Sequence, residues 1–424
     1  VDLGRARVLV DPASEWAQMV REAWRLQPEQ FWTADLSGVD WQRVLERYLP
    51  LMDRVATRAE LSDVIWELQG ELGTSHCYEI GGEYRHPPSW GQAHLGADID
   101  RDASGRWVVT RVVPGTTWQP REASPLLAPG ARVSAGTAIL AVNGQPVDPG
   151  VGPAALLANQ AGLPVELTVA APAARTASGA RAMTRTIVVP TLADERPLRY
   201  RDWVVANRQR AREATGGRAG YLHIPDMMPQ GWSEFHRAYL AEVEKEALVV
   251  DARYNGGGHV SGLMLEKLAR RRLGWDVPRR GAPISYPEEA PSGPLVLLTN
   301  EFAGSDGDIF THGFKMLKLG PVVGTRTWGG VIGTDVTQPL VDGSITTQPE
   351  FAFWFDDVGW GVENRGTDPD EEVIIRPQDY VGGRDPQLER AIELVLEALE
   401  SFEPVHPELE RRPRKPLPTL PPRA

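Results

Sequence analysis

The residues able to do chemistry fall in a few short stretches. Asn300-Glu-Phe-Ala-Gly-Ser305-Asp-Gly-Asp308 directly follows the apolar run 295–299 and opens a helical pattern, so Ser305 stands where a strand hands over to a helix. A helix N-terminus offers unpaired N–H groups to an anion, which suits a nucleophile whose attack builds negative charge. A serine there also suits a plain helix cap, so its company decides. Asp251-Ala-Arg-Tyr-Asn-Gly-Gly-Gly258 ends an earlier apolar run. Its three glycines let the backbone approach a substrate and turn N–H groups into a cleft. No Gly-Lys-Ser/Thr follows, which speaks against a nucleotide loop. Ser75-His76 sets an imidazole beside a hydroxyl, the kind of partner a general base needs to fix its tautomer. Glu363 lies in Trp360-Gly-Val-Glu-Asn-Arg-Gly-Thr-Asp-Pro-Asp370, a polar, glycine-bearing loop of the kind that carries function more often than strands do. Its plainer role is an ion pair with Arg365. Cys77 has no visible electropositive setting and reads as a buried thiol.

Three different patterns must position these groups. Residues 14–72 are helical in period, with Trp16, Met19, Val20, Ala23 and Trp24 on one face. Thr57-Arg-Ala-Glu60 is a capping box, Leu61, Val64, Ile65, Leu68 and Leu72 form the stripe behind it, and Gly73 supplies a stop, so Thr74-Ser75-His76 lies just past a helix end. From 92 to 193 short β-rich runs alternate with Pro and Gly: 107–113, 137–142, 165–169 and 184–189, with a helical Pro153–Asn159 between them. From 194 strands and helices alternate as in an α/β layer, with strands at 220–224, 247–251 and 295–299 and helices near 229–244, 258–272 and 304–318. The Pro- and Arg-rich stretch 403–424 reads as a mobile tail. The fold class expected is multidomain α+β, divided as 1–91 helical, 92–193 β-rich and 194–402 α/β.

Composition narrows the classes. At 424 residues the chain exceeds one hydrophobic core, and 42% hydrophobic with 24% charged residues is ordinary for a globular protein. A formal net charge of −12 disfavours phosphate-backbone binding, and no apolar run approaches the roughly 18 residues that span a bilayer. Neither nucleic acid nor membrane is an expected partner. One cysteine excludes an intrachain disulfide and fits the cytoplasm. No His-Glu-x-x-His or paired-Cys motif points to a metal, so no cofactor is expected. The first residues are not a signal peptide, and the missing initiator Met points to a fragment.

Taken together, Gly-Thr-Ser75-His76, the Asp-x-Arg-x-Asn-Gly-Gly-Gly258 loop, Gly-Ser305-Asp-Gly and Glu363-Asn-Arg-Gly occur in one order around a β-rich segment that resembles a PDZ domain. Any one is a weak signal; four in order are a strong one. The set resembles the catalytic half of the tricorn proteases over nearly the whole chain. That resemblance implies a PDZ-like domain, with His94-Leu95-Gly96-Ala97 near its carboxylate-binding loop and a groove for an extended peptide. It implies a C-terminal domain of the crotonase/Clp-protease-like kind. Ser305 would be the nucleophile and His76 its base, with Ser75 and Glu363 orienting the imidazole and the Gly258 and Asp306 amides forming an oxyanion hole. Gly256, Gly257 and Gly258 would line the substrate site and Asp276 would favour a basic side chain before the cleaved bond. Ile332, Gly333 and Thr334 would pair with the substrate backbone. The implied partners are oligopeptides left by proteasome-type degradation, a homo-hexamer and downstream aminopeptidases. The β-propellers of that family have no counterpart here.

Three other readings compete. A carboxyl-terminal processing peptidase uses a Ser-Lys dyad, yet Gly324-Thr-Arg-Thr-Trp-Gly-Gly-Val-Ile-Gly333 holds no lysine. A non-catalytic PDZ scaffold would not need every catalytic residue in place. Acyl-CoA chemistry would want a basic cleft for the nucleotide phosphates.

Overall fold

The computed structural model describes residues 9–84, 90–116, 122–171, 183–334 and 337–411, with Arg7, Gln119, Pro413, Pro416 and Leu417. The end of the expected mobile tail lies outside the described residues. The helical stretch consists of three helices, α1 Pro12–Gln30, α2 Trp41–Tyr48 and α3 Arg58–Gly70, separated by 3-10 turns. Proline at the start of α1 costs no hydrogen bond, and Met19, Val20, Ala23 and Leu26 bury one face. The Thr57 hydroxyl accepts from Glu60 N at 3.2 Å, while the Glu60 carboxylate accepts from Thr57 N at 2.9 Å, which completes the box at the start of α3. Trp24 and Trp41 each donate the indole N–H to the other's carbonyl, at 2.7 and 2.8 Å, so the half-buried Trp24 and the buried Trp41 leave no orphan donor. Gly73 takes φ 62° and the chain runs into β1, Glu79–Ile80.

The β-rich segment forms an antiparallel sheet from β2 Ala97–Arg101, β3 Trp107–Val112, β4 Ala138–Val142, β5 Gln145–Pro146, β6 Pro164–Ala170 and β7 Thr184–Pro190, in the order β2-β3-β4-β6-β7 with β5 on β4. Pro153–Leu157 is a 3-10 turn; Gly152 at φ 90° and Asn159 at φ 58° bound a stretch too short to nucleate an α-helix. Helix α4, Arg196–Ala214, follows.

The α/β part contains β8 Ala219–His223, α5 Pro229–Glu242, β9 Ala247–Asp251, α6 Ser261–Leu268, a hairpin of β10 Gly274–Asp276 and β11 Ile284–Tyr286, then β12 Leu295–Thr299, α7 Asp306–Met316 and β13 Val322–Gly324. After these come β14 Ile332–Gly333, β15 Thr337–Pro339, β16 Ile345–Thr347, β17 Phe351–Ala352, β18 Glu371–Glu372, α8 Pro377–Val381 and α9 Pro386–Ser401. Strands β18-β13-β12-β9-β8 form an all-parallel sheet. Every residue of β8, β9 and β12 is buried, as a sheet covered on both faces requires. Phe235, Tyr239, Phe310 and Phe314 from the helices pack on Leu222, Val250 and Leu297 from the strands.

Two compact units result: residues 1–85 with 210–424, and residues 86–209. The N-terminal helices thus share a unit with the parallel sheet. The joint is a small antiparallel sheet in which β1 pairs with β16 and β16 with β15. Beside it the buried Arg58 donates to Glu79 at 2.5 Å and to Asp342 at 2.6 Å.

Candidate active site

The loops leaving the carboxyl ends of β9 and β12 face each other, the usual place for a ligand in an open parallel sheet. Ser305 occupies the turn between β12 and α7 at φ 58°, ψ −122°, a conformation that non-glycine residues rarely adopt and that the surroundings must hold. Its hydroxyl makes no capping bond, which sets the plain-cap role aside. Instead Ser305 Oγ lies 3.1 Å from His76 Nε2. On the far side of the ring, His76 Nδ1 lies 2.8 Å from Ser75 Oγ. Ser75 Oγ donates to Glu363 Oε2 at 3.1 Å.

Glu363 accepts three further bonds, from Ser75 N at 2.7 Å, Thr74 Oγ1 at 3.1 Å and Val331 N at 2.7 Å. The next residue, Asn364, donates its amide to Gly73 O at 2.7 Å and so ties the same loop to the end of α3. Arg365 pairs with Asp368 rather than with Glu363. With the Ser75 proton given to the carboxylate, Ser75 Oγ is left to accept from Nδ1–H, and Nε2 is left as an acceptor facing Ser305. Burial pulls the His76 pKa below its ordinary value, with the Glu363 charge opposing. Burial pushes the neighbouring Cys77 thiol up to about 12, so it stays protonated and packs as an apolar group.

The glycine loop reaches the serine from below. A Cβ on Gly257 would meet Ser305 Cβ at 2.5 Å, and one on Gly258 would meet Met227 O at 2.1 Å; both take positive φ. Among the described residues neither the Gly258 nor the Asp306 N–H is bonded to another group. The Asp306 carboxylate is turned away and accepts from Ser261 N at 2.9 Å and from the Ser261 hydroxyl. The first half of the motif is structural. Arg253, 1% exposed, donates to Asp251 at 2.7 Å and to Asp385 at 2.8 Å, and Asn255 spans Ile224 O and Gly257 N.

A cavity of about 470 Å³ opens over Ser305, lined by His76, Tyr78, Asn255, Gly256, Glu301, Phe302, Gly304 and Trp328 as well. Four residues at the site are given no role in the motif reading. Trp328 stands edge-on to His76 at 5.4 Å, Thr74 and the Val331 amide hold Glu363, and Glu301 brings a carboxylate. Asp308 is a fifth omission: buried under the turn, it accepts from Gly329 N at 2.8 Å and Gly330 N at 3.2 Å, and burial raises its pKa to about 6 against those bonds. Asp308 and Glu301 both stand in the stretch around Ser305, but nothing in residue type marks a carboxylate as buried or cavity-facing.

Other expected site residues are placed apart. Asp276 is exposed on the β10–β11 hairpin and outside the cavity lining. Ile332 and Gly333 form β14, one edge of which is taken by Phe351 and Ala352 of β17, and Thr334 follows it. His94 belongs to the other unit, where it lies 3.6 Å from Glu195 beside an apolar groove formed by Ile99, Trp107, Pro153 and Leu157. Among the described residues no group of three or more His, Cys, Asp or Glu is placed to hold a metal, and no helix is long and apolar enough to cross a membrane.

Residues 218–373 match peptidase family S41, residues 93–194 the tricorn protease PDZ domain and residues 12–70 the tricorn protease C1 domain. Tricorn protease homolog 1 of Streptomyces coelicolor is 54% identical over 402 residues, covering 94% of this chain and 37% of that protein. The tricorn protease homolog of Saccharolobus solfataricus is 44% identical over 400 residues, covering 94% and 36%. The crystal structure of the tricorn protease superposes with a TM-score of 0.87 at 39% identity, over 95% of this chain and 38% of that one. The chain therefore spans little more than a third of the length of these relatives.

Proposed function

Because the chain belongs to the tricorn protease family, sharing the domains of its C-terminal part, we propose that it is a serine peptidase acting on oligopeptides through an acyl-enzyme. The observation that carries this reading is the unbroken hydrogen-bond chain Ser305–His76–Ser75–Glu363. Ser305 Oγ attacks the scissile carbonyl as His76 Nε2 takes its proton. Ser75 and Glu363 hold the ring in the tautomer that leaves Nε2 free and stabilise the imidazolium that forms. The tetrahedral oxyanion is received by the Gly258 and Asp306 amides, supported by the close approach of the 256–258 loop to Ser305. His76 then protonates the leaving amine, and water, deprotonated by the same imidazole, releases the acyl group.

The free edge of 332–334 would hold the peptide as an added strand. We extend the proposal to the domain division 1–91, 92–193, 194–402 and 403–424, and to a preference for a basic residue before the cleaved bond. It further includes products of proteasome-type degradation as substrates, aminopeptidases downstream, a homo-hexamer and a cytoplasmic site of action. A Ser-Lys dyad has less support, since the group within reach of Ser305 is an imidazole. The test is a serine-reactive fluorophosphonate with mass mapping on wild type and Ser305→Ala. Labelling at Ser305 that vanishes in the variant is expected; equal labelling of both sinks the assignment.

A further inference from the structure

We propose that Asp308 is a positioning residue for the reaction: its carboxylate fixes the turn that presents Ser305 and, through residues 329–331, the loop that carries Glu363. The proposal rests on the reading of Ser305 as nucleophile. Asp308 lies in the first turn of α7 and is 0% exposed. An aspartate there ordinarily serves its own helix, by accepting from the N-cap N–H or by complementing the dipole. Asp308 does accept from Ser305 N, but it also accepts from the Thr327 hydroxyl. Its Oδ1 accepts from Gly329 N at 2.8 Å and its Oδ2 from Gly330 N at 3.2 Å, so most of its donors belong to a separate segment. Among the described residues no cation pairs with it. A buried charge met by directional donors alone requires those donors to keep their places.

Two parts of the hydrogen-bond chain hang on these donors. Ser305 N belongs to the residue held at φ 58°, ψ −122°. Gly329 O accepts from Asn364 N at 2.7 Å and Val331 N donates to Glu363 at 2.7 Å, so the segment gripped by Asp308 also seats Glu363. Within that segment Trp328 stands edge-on to His76 at 5.4 Å. Nucleophile, base and orienting carboxylate come from three stretches of chain, and Asp308 links the first to the third.

The test is Asp308→Asn, which keeps the volume but carries one acceptor oxygen: whichever way the amide turns, its NH2 faces the N–H of Gly329 or of Gly330. Fluorophosphonate labelling taken to completion counts competent serines, and hydrolysis of a fluorogenic peptide is expressed per counted site. The value of kcat per site should fall about 10²-fold, the cost of a nucleophile misplaced by about 1 Å, with KM within about threefold of wild type. Hydrogen exchange read by mass spectrometry should speed up about tenfold across 303–309 and 327–331. A variant with fewer competent serines but wild-type kcat per site would mark Asp308 as merely structural and overturn the proposal, as would a change confined to KM. If wild type neither labels nor cleaves, the peptidase reading fails separately. Exchange then judges the positioning claim by itself: faster exchange in both segments of Asp308→Asn supports it, and unchanged exchange overturns it. Should Asp308→Asn not fold, Thr327→Val removes one donor, and a kcat-selective loss of about tenfold is expected. Kinetics and exchange both unchanged in that variant overturn the proposal as well.

Discussion

Replacing Glu363 by Gln removes one charge and almost no volume, and its cost follows from four bonds. Oε1 accepts from Ser75 N and Thr74 Oγ1; Oε2 accepts from Ser75 Oγ and Val331 N. A glutamine keeps one oxygen. If its NH2 takes the Oε2 place, it faces the Val331 N–H, and Ser75 Oγ becomes its acceptor, free to donate to His76 Nδ1. The proton then moves to Nε2, and the base facing Ser305 is lost. If the NH2 takes the Oε1 place, the tautomer survives but two N–H groups oppose each other at Ser75. Either way two charge-assisted bonds go, at about 1.5 kcal/mol each, or about 3 kcal/mol in all. That corresponds to a fall of about 10²-fold in kcat/KM. Steady-state hydrolysis of a fluorogenic peptide, paired with the rate of fluorophosphonate inactivation, reads it directly. A variant within twofold of wild type in both assays would refute the tautomer argument.

Other consequences concern pH, the glycine loop and the loop anchor. Since His76 is held below the ordinary imidazole value by burial, it stays neutral to lower pH, and the acid limb of kcat/KM should lie below pH 6.5. Glu363→Gln removes the opposing charge and should move the limb lower still; a limb at or above 6.5 in wild type contradicts the assignment. Gly257→Ala puts a methyl 2.5 Å from Ser305 Cβ at a positive φ, so turnover should drop by about 10² or more, as for a lost oxyanion donor. Unchanged kinetics would mean the loop stands farther from the serine. Arg253→Ala strips Asp251 of its buried partner, and urea unfolding should show a loss of about 3–5 kcal/mol. A loss under 1 kcal/mol would show that Asp251 is satisfied by Tyr221 and backbone alone.

Local rules made much of this molecule legible before any coordinates. The α3 capping box, the apolar runs of β9 and β12, and the glycines beside Ser305 each act within a few residues, so residue type and spacing determine them. Ser75, His76, Ser305 and Glu363 were readable as candidates for the same reason. Their meeting was an expectation of the family resemblance and not of residue type or spacing, because it depends on pairings across hundreds of residues: β1 on β16, Asn364 on Gly73 and Glu363 on Ser75. Nor does spacing reveal direction. Only packing turned the Asp306 carboxylate to Ser261, buried Asp308 under the turn and left Asp276 outside the cavity. Carboxylates divide into buried anchors, supports and exposed groups according to what surrounds them, and the surroundings come from the fold.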